Sequence, residues 1–399
     1  MTPAEHTVAA ARAEILSGIR RLASEPVALE AANGRTLAHS VTATRAQPPF
    51  RASAMDGYGV GAADPGAGPL KVIGEAAAGR SYDGAPMRAG GAVRIFTGAA
   101  VPPGVDFVVP QERARREGAS VWLEAVRGRS NIREAGVDFG AGEVLVRSGT
   151  RLNARHVALI AASGTATVEV TRRPRAAVLA TGDELVEPGA AAAPHQVFDS
   201  VSFGVGASIG EWGGQALPVG VRPDSGAAIA EAAADALRRV DLLVVIGGAS
   251  VGDYDVVKQS LASLGLAMAF ERVAIRPGRP TWFGRAAEKP VLGLPGNPAA
   301  ALVCAHLFLR PLLGALLGGE GEEGGATAVL EGEVAASGAN ELYPRAIATR
   351  GGDTHLRVRP CDDQDTSLLS VFAAANALIR RPAHAGAVRS GEHVELLWL

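Results

Sequence analysis

Only two cysteines, Cys304 and Cys361, occur in the 399-residue chain. They are too few for a disulfide framework, and no C-x-x-C or paired Cys/His spacing offers a structural zinc site. Surplus charge is missing too: 39 Lys+Arg stand against 41 Asp+Glu, a net of −2. Nothing is left over to neutralise a nucleic-acid backbone, so nucleic-acid binding is not expected as the main function. No apolar run is long and clean enough for a membrane span. The most apolar stretch, 301–318, is broken by His306, Arg310 and Pro311 and reads as a buried helix pair. The N-terminal MTPAEHTVAAARAEILSGIR carries acidic residues where a secretory signal needs basic ones. A cytoplasmic enzyme that touches no membrane is the expectation.

Several motifs are absent as well. There is no G-x-x-x-x-G-K-[ST] and no H-E-x-x-H, which excludes a P-loop and a zincin. The glycines of 204–210 are spaced G-x-G-x-x-x-G inside an expected helix, so a dinucleotide fingerprint is unsupported. Lysine is scarce: Lys71, Lys258 and Lys289 are the only three, which leaves 36 of the 39 basic residues as arginine.

What is present is long enough for two to four domains. Apolar spacing at Val8, Ile15, Ile19 and Leu22 predicts a helix over 6–23, with a shorter one near 29–40. From Pro48 to about Arg147, short β-like runs separated by Gly/Pro turns read as an inserted β-rich module. Residues 153–164 return to a helical pattern, and TATVEV reads as a strand. From Arg175, continuously apolar strands at 176–181, 215–221, 241–248 and 290–296 alternate with helices around 199–213, 224–239 and 254–264. That order predicts a doubly wound, mostly parallel sheet whose ligand sits at the strand C-termini. Beyond the Gly-rich 318–326, short strands predict a small C-terminal β domain. The expected division is a split domain, 1–47 with 148–174, then 48–147, 175–320 and 321–399, making a multidomain α/β chain.

Four motifs fall at strand-to-loop junctions: TGDEL (181–185), GGASVGDYD (247–255), IRPGRP (275–280) and LPGNP (294–298). Gly-rich turns leave backbone N–H groups free to bind phosphate-like anions. Asp183, Glu184, Asp253 and Asp255 supply carboxylates suited to Mg²⁺, and Arg276 and Arg279 offer guanidinium forks for a second oxyanion. Any one such loop can be merely a turn, and Asp253 has the position of an N-cap. Gly248-Ala249-Ser250-Val251-Gly252 also fits the nucleophile-elbow spacing. A hydrolase would further need an acid and then a histidine, and His306, His355, His384 and His393 satisfy the order alone. In the inserted module, SAMDGY presents Asp56, for which an Asx-turn is a sufficient reading.

The ordered set SAMDGY, FTGAAVPPGVDFVVPQE, NIREAGVDFGAGEVLVRSGTRL, TGDELVEPG, GGASVGDYD, RPGRP and LPGNP resembles the molybdopterin molybdenumtransferase (MoeA) family, related to the E domain of gephyrin, over essentially the whole chain. The resemblance implies a MogA-like doubly wound domain, a C-terminal β-barrel-like domain and an elongated homodimer. It further implies insertion of molybdenum from molybdate into adenylylated molybdopterin, with Mg²⁺-dependent release of AMP, and a molybdopterin adenylyltransferase as supplier. Matching positions imply that Asp56, Thr97, Asp138, Glu184 and Asp255 are catalytic, and that Glu184 and Asp255 place the metal. They imply a substrate surface of Thr181, Gly182, Asp183, Asp224, Gly248, Ser250, Arg276, Arg279, Pro295, Gly296, Asn297, Pro298, Arg345 and Thr366. The chain departs from the family pattern where R-P-G-R-P replaces K-P-G-K-P, where Ala300 replaces a serine, and where QDTS (364–367) replaces a Q-G-S-type run. A non-catalytic molybdopterin-binding paralogue is the alternative, with the Ser250 hydrolase a third.

Overall fold

The computed structural model describes residues 5–63, 68–125, 129–248, 256–319, 325–351 and 355–399. At its centre is a six-stranded sheet in the order Gln215–Arg222, Arg175–Thr181, Leu242–Ile246, Lys289–Leu294, Trp282–Ala286, Ala267–Phe270. The first four strands run parallel. The last two are an antiparallel edge that the apolar pattern did not reveal. The parallel strands are apolar without interruption because both faces are covered. Ala176, Val178, Leu242 and Val244 face a core with the helices Val201–Glu211 and Pro298–Cys304. Ala177, Leu179, Leu243 and Val245 face the helices Gly226–Arg239 and Val256–Ala262. Gly293 has no freedom to be larger: a Cβ there would lie 1.9 Å from the buried Trp282 ring.

Three sequence expectations need correction. The first helix covers only Val8–Leu16: Thr7 Oγ1 accepts from Ala10 N, and the chain turns at Ser17 and Gly18, where φ is +68°. Ile19 and Leu22 still pack against the same core, but from non-helical chain. The expected helix near 29–40 is a single 3-10 turn, Leu29–Ala31. The expected helix pair at 301–318 is one helix, Pro298–Leu317, with 67% of its apolar window buried in the protein. A π-turn at Ala305–Leu309 precedes Pro311. Proline lacks the N–H that an α-helical turn needs, and the wider turn absorbs that defect without ending the helix.

The inserted module is a six-stranded sheet ordered Phe107–Pro110, Gly57–Val60, Gly91–Ile95, Leu70–Ala76, Ser120–Leu123, Ala114–Glu117. Chain on either side of it is stitched together, since Ser24–Ala28 pairs antiparallel with Thr167–Thr171 and Val41–Thr42 with Val144–Val146. The C-terminal region closes into a barrel of Gly325–Leu330, Leu356–Pro360, Arg345–Arg350, Ala377–Arg380 and His393–Trp398. Its strand Ala377–Arg380 was not expected from the sequence.

Candidate functional site

The C-terminal ends of the parallel strands form a glycine collar. The strand Arg175–Thr181 delivers Thr181, 3% exposed, whose hydroxyl lies beside the Asp224 carboxyl. Gly182 follows, and a Cβ on it would meet the Glu184 carboxylate at 2.7 Å, so this carboxylate folds back over the turn. Gly247 ends the neighbouring strand with φ +88°, and a Cβ there would lie 2.7 Å from the Thr181 carbonyl oxygen. At Gly248, with φ +62°, a Cβ would stand 2.1 Å from Val257 Cγ2. Gly296, from the third loop, lies against Gly247, the Cα of which would be 3.7 Å from an added Cβ. Three loops therefore meet through glycine backbone, but Gly182 N donates to the Arg222 carbonyl at 3.2 Å and Gly247 N to the Leu294 carbonyl at 3.3 Å, so the collar amides with no acceptor among the described residues are those of Gly248 and Gly296. Ser250, Asp253 and Asp255 lie outside the described residues.

Carboxylates gather on one side of this collar. Asp224 N donates to Asp183 Oδ1 at 3.0 Å. The Asp224 carboxyl is pushed above its ordinary value by burial, and then by the charges of Asp183 and Glu184. Among the described residues no three Asp, Glu, His or Cys groups converge as a ready metal cage.

The LPGNP turn is held from the barrel. Asn297 precedes the long helix, but its side chain does not cap it, because Asn297 Nδ2 donates to Thr366 Oγ1 at 2.9 Å. The Thr366 carbonyl in turn accepts from Ala299 N at 3.0 Å. With Pro298 lacking an N–H and Ala299 occupied, the start of this helix offers less to a phosphate than the sequence motif suggested.

Arg345 is 2% exposed, and its guanidinium faces the loop that carries Thr366. It donates to the carbonyls of Leu368 at 3.2 Å and Asp365 at 2.9 Å, and to Gln364 Oε1 at 3.4 Å. Gln364 returns a hydrogen bond to the Arg345 carbonyl at 2.9 Å. Arg345 thus reaches the rim through a loop and not with its own charge. Gln364, which completes this lock, lies in the QDTS run, where the sequence gives no sign of its role.

The two arginines of RPGRP differ. Arg276 is exposed and its guanidinium has no hydrogen bond or ion pair among the described residues, although its carbonyl accepts from Tyr343 N at 2.9 Å, whereas Arg279 Nε donates to Glu5 Oε1 at 2.7 Å. No sequence signal pointed to Glu5.

In the inserted module, Asp56 and Thr97 are in contact. Asp56 Oδ1 accepts from both Thr97 Oγ1 and Thr97 N at 2.7 Å. These bonds, with the charge of Arg94, hold the Asp56 carboxyl below the ordinary carboxylate value. Arg94 also donates to the Gly57 carbonyl at 3.0 Å and lies over the Tyr58 and Phe96 rings, fixing the strand after Asp56. Gly57 is required there, since a Cβ would be 2.0 Å from the Val109 carbonyl oxygen. Asp138 is exposed on the return segment, its amide bonded to the Gln47 carbonyl at 3.0 Å. No hydrogen bond, ion pair or core cluster among the described residues joins Asp56, Thr97 or Asp138 to the glycine collar.

Comparison with known proteins covers nearly all of this architecture. Family models described as "MoeA N-terminal region (domain I and II)", "Probable molybdopterin binding domain" and "MoeA C-terminal region (domain IV)" match residues 6–164, 177–315 and 327–399. A molybdopterin molybdenumtransferase of Nostoc sp. is 39% identical over 302 residues, covering 73% of this chain and 69% of that protein. One of Haemophilus influenzae is 31% identical over 384 residues, covering 94% and 93%. Two crystal structures of a molybdopterin biosynthesis MoeA protein from Pyrococcus horikoshii superpose with TM-scores of 0.82 and 0.85, at 28% and 26% identity, each covering 99% of this chain and 99% and 100% of the other.

Proposed function

The chain belongs to the MoeA family of molybdopterin molybdenumtransferases, and from that premise we propose that it inserts molybdenum from molybdate into adenylylated molybdopterin and releases AMP. It is a transferase of molybdenum cofactor biosynthesis. The observation that carries the finer reading is the collar, where the amides of Gly248 and Gly296 have no acceptor among the described residues and stand on adjoining loops at the strand ends beside Thr181. Such a surface suits a pterin phosphate and a nucleotide phosphate joined by an anhydride. Ser250, Pro295, Asn297 and Pro298 belong to the same loops.

Mg²⁺ fits the donor chemistry of the rim. Asp224 is forced toward its protonated form beside Asp183 and Glu184, a crowding that a hard divalent cation relieves. Glu184 and Asp255 would hold the ion, which would neutralise phosphate charge when bound. The oxyanion molybdate is read as meeting Arg276 and Arg279, guanidinium forks where the family has ammonium groups. Arg345 and Gln364 hold the loop that sets Thr366 against Asn297.

Asp56 and Thr97, with Asp138, complete the site from a second copy of the chain in this reading, since nothing links them to the collar of their own chain. The proposal therefore includes a homodimer, a cytoplasmic location, an adenylyltransferase as supplier, and a chain divided at 47/48, 147/148, 174/175 and 320/321. The test is AMP release from adenylylated molybdopterin by Asp56→Ala and Glu184→Ala variants. Loss in both supports the assignment; full release by either removes it.

A further inference from the structure

We infer that Glu5 acts as a built-in competitor for Arg279 and so sets how strongly the RPGRP loop takes up a tetrahedral oxyanion. The inference rests on the reading of that loop as the molybdate-facing surface. The placement of Glu5 is fixed by backbone pairing. His6 N donates to the Arg272 carbonyl at 3.1 Å, Ala274 N donates to the His6 carbonyl at 2.7 Å, and His6 bridges Val273 in parallel. Val273 N in turn donates to the Arg279 carbonyl at 3.0 Å, so the N-terminal segment and the loop form one unit.

From this position Glu5 Oε1 accepts from Arg279 Nε at 2.7 Å and also meets its terminal nitrogen. The Glu5 side chain is 22% exposed and that of Arg279 57%, so the acid is the more enclosed partner and the arginine keeps a solvent-facing side. A carboxylate oxygen gripped by the guanidinium edge uses the donors that a molybdate oxygen would use. Arg276 carries no such partner among the described residues. The loop therefore presents one open cation and one masked cation, and an arriving dianion must displace Glu5 or bind beside its negative charge.

Isothermal titration of molybdate into the full-length protein, and into Glu5→Gln, Arg279→Ala and the double variant, tests this directly. Glu5→Gln is expected to tighten molybdate binding by about fivefold, the scale of releasing Arg279 from an exposed ion pair. The gain is expected to vanish in the Arg279→Ala background, a dependence that a merely structural role for Glu5 would not produce. Sulfate should show the same pattern at weaker affinity. If wild type binds molybdate, Arg279→Ala weakens it and Glu5→Gln leaves it unchanged, the competitor role is overturned while the loop assignment stands. If Glu5→Gln tightens binding equally with Arg279 present or absent, the role through Arg279 is overturned. If molybdate binding is indifferent to both arginines, the loop assignment itself fails and the inference with it.

Discussion

Replacing Arg345 by methionine separates two roles that the sequence alone cannot distinguish. Family resemblance puts this arginine near molybdate, whereas its guanidinium bonds the carbonyls of Leu368 and Asp365 and the side chain of Gln364 from a position 2% exposed. Methionine fills similar volume without donors, leaving those acceptors to water or to nothing. Hydrogen bonds from charged donors contribute about 1.5–3 kcal/mol each, and partial rewetting of a surface loop recovers some of that. The net cost is about 3–5 kcal/mol for the barrel and its loop, comparable to breaking a buried charged cluster. Urea unfolding, followed with hydrogen exchange of amides 361–368, reads this. The barrel transition should move to lower urea, and the loop amides should lose protection. Binding of molybdopterin should weaken as well, because Thr366 no longer steadies Asn297. If the unfolding midpoint and amide protection stay put while only the KM for molybdate rises, the guanidinium faces substrate and the loop-lock reasoning is refuted.

Gly248→Ala forces a Cβ to within 2.1 Å of Val257 Cγ2 at φ +62°; thermal denaturation should show a loss of about 2–4 kcal/mol from overpacking and left-handed strain. Gly182→Ala places a Cβ 2.7 Å from the Glu184 carboxylate at φ +154°, a backbone region that side chains rarely adopt, and should lower both the melting temperature and turnover. Thr97→Val removes the hydroxyl that most depresses Asp56. A carboxyl NMR titration should find the Asp56 midpoint moved up toward the ordinary value, so the side chain loses its charge at a higher pH than in wild type; an unmoved midpoint would contradict the assigned cause. Asp224 has the opposite sign: with its folded pKa raised, its ionisation works against the fold as pH climbs through that value. Asp183→Asn, which keeps the acceptor for Asp224 N, should lower the Asp224 midpoint and raise the melting temperature at neutral pH in Mg²⁺-free buffer. Mixing inactive Asp56→Ala and Glu184→Ala proteins should restore part of the activity if the two halves of the site come from two copies.

The parallel sheet was legible because its strands are buried on both faces, so Ala176–Ala180 and Leu242–Ile246 read as unbroken apolar runs. The collar was legible because the collar turns at Gly182, Gly247 and Gly248 need positive φ that glycine alone adopts freely. Helix ends were less so. Ile19 and Leu22 continue a helical spacing past Gly18 because non-helical chain can present side chains to the same core, and periodicity reports burial before it reports conformation. Pro311 looked like a break because a π-turn has no sequence signature. Contacts far apart in sequence were invisible: Glu5 and Arg279 are 274 positions apart, and Arg345 gave no sign that its charge would point at carbonyls. Asp56 and Thr97 were implied singly by resemblance, and their hydrogen bonds across 41 positions were not legible in the sequence.

The most direct measurement is AMP release from adenylylated molybdopterin by the wild-type protein with Mg²⁺, in the presence and absence of molybdate. The account predicts release that depends on molybdate, with molybdenum recovered on the pterin. Tight pterin binding with no AMP released under either condition would contradict it and make the chain a carrier of molybdopterin.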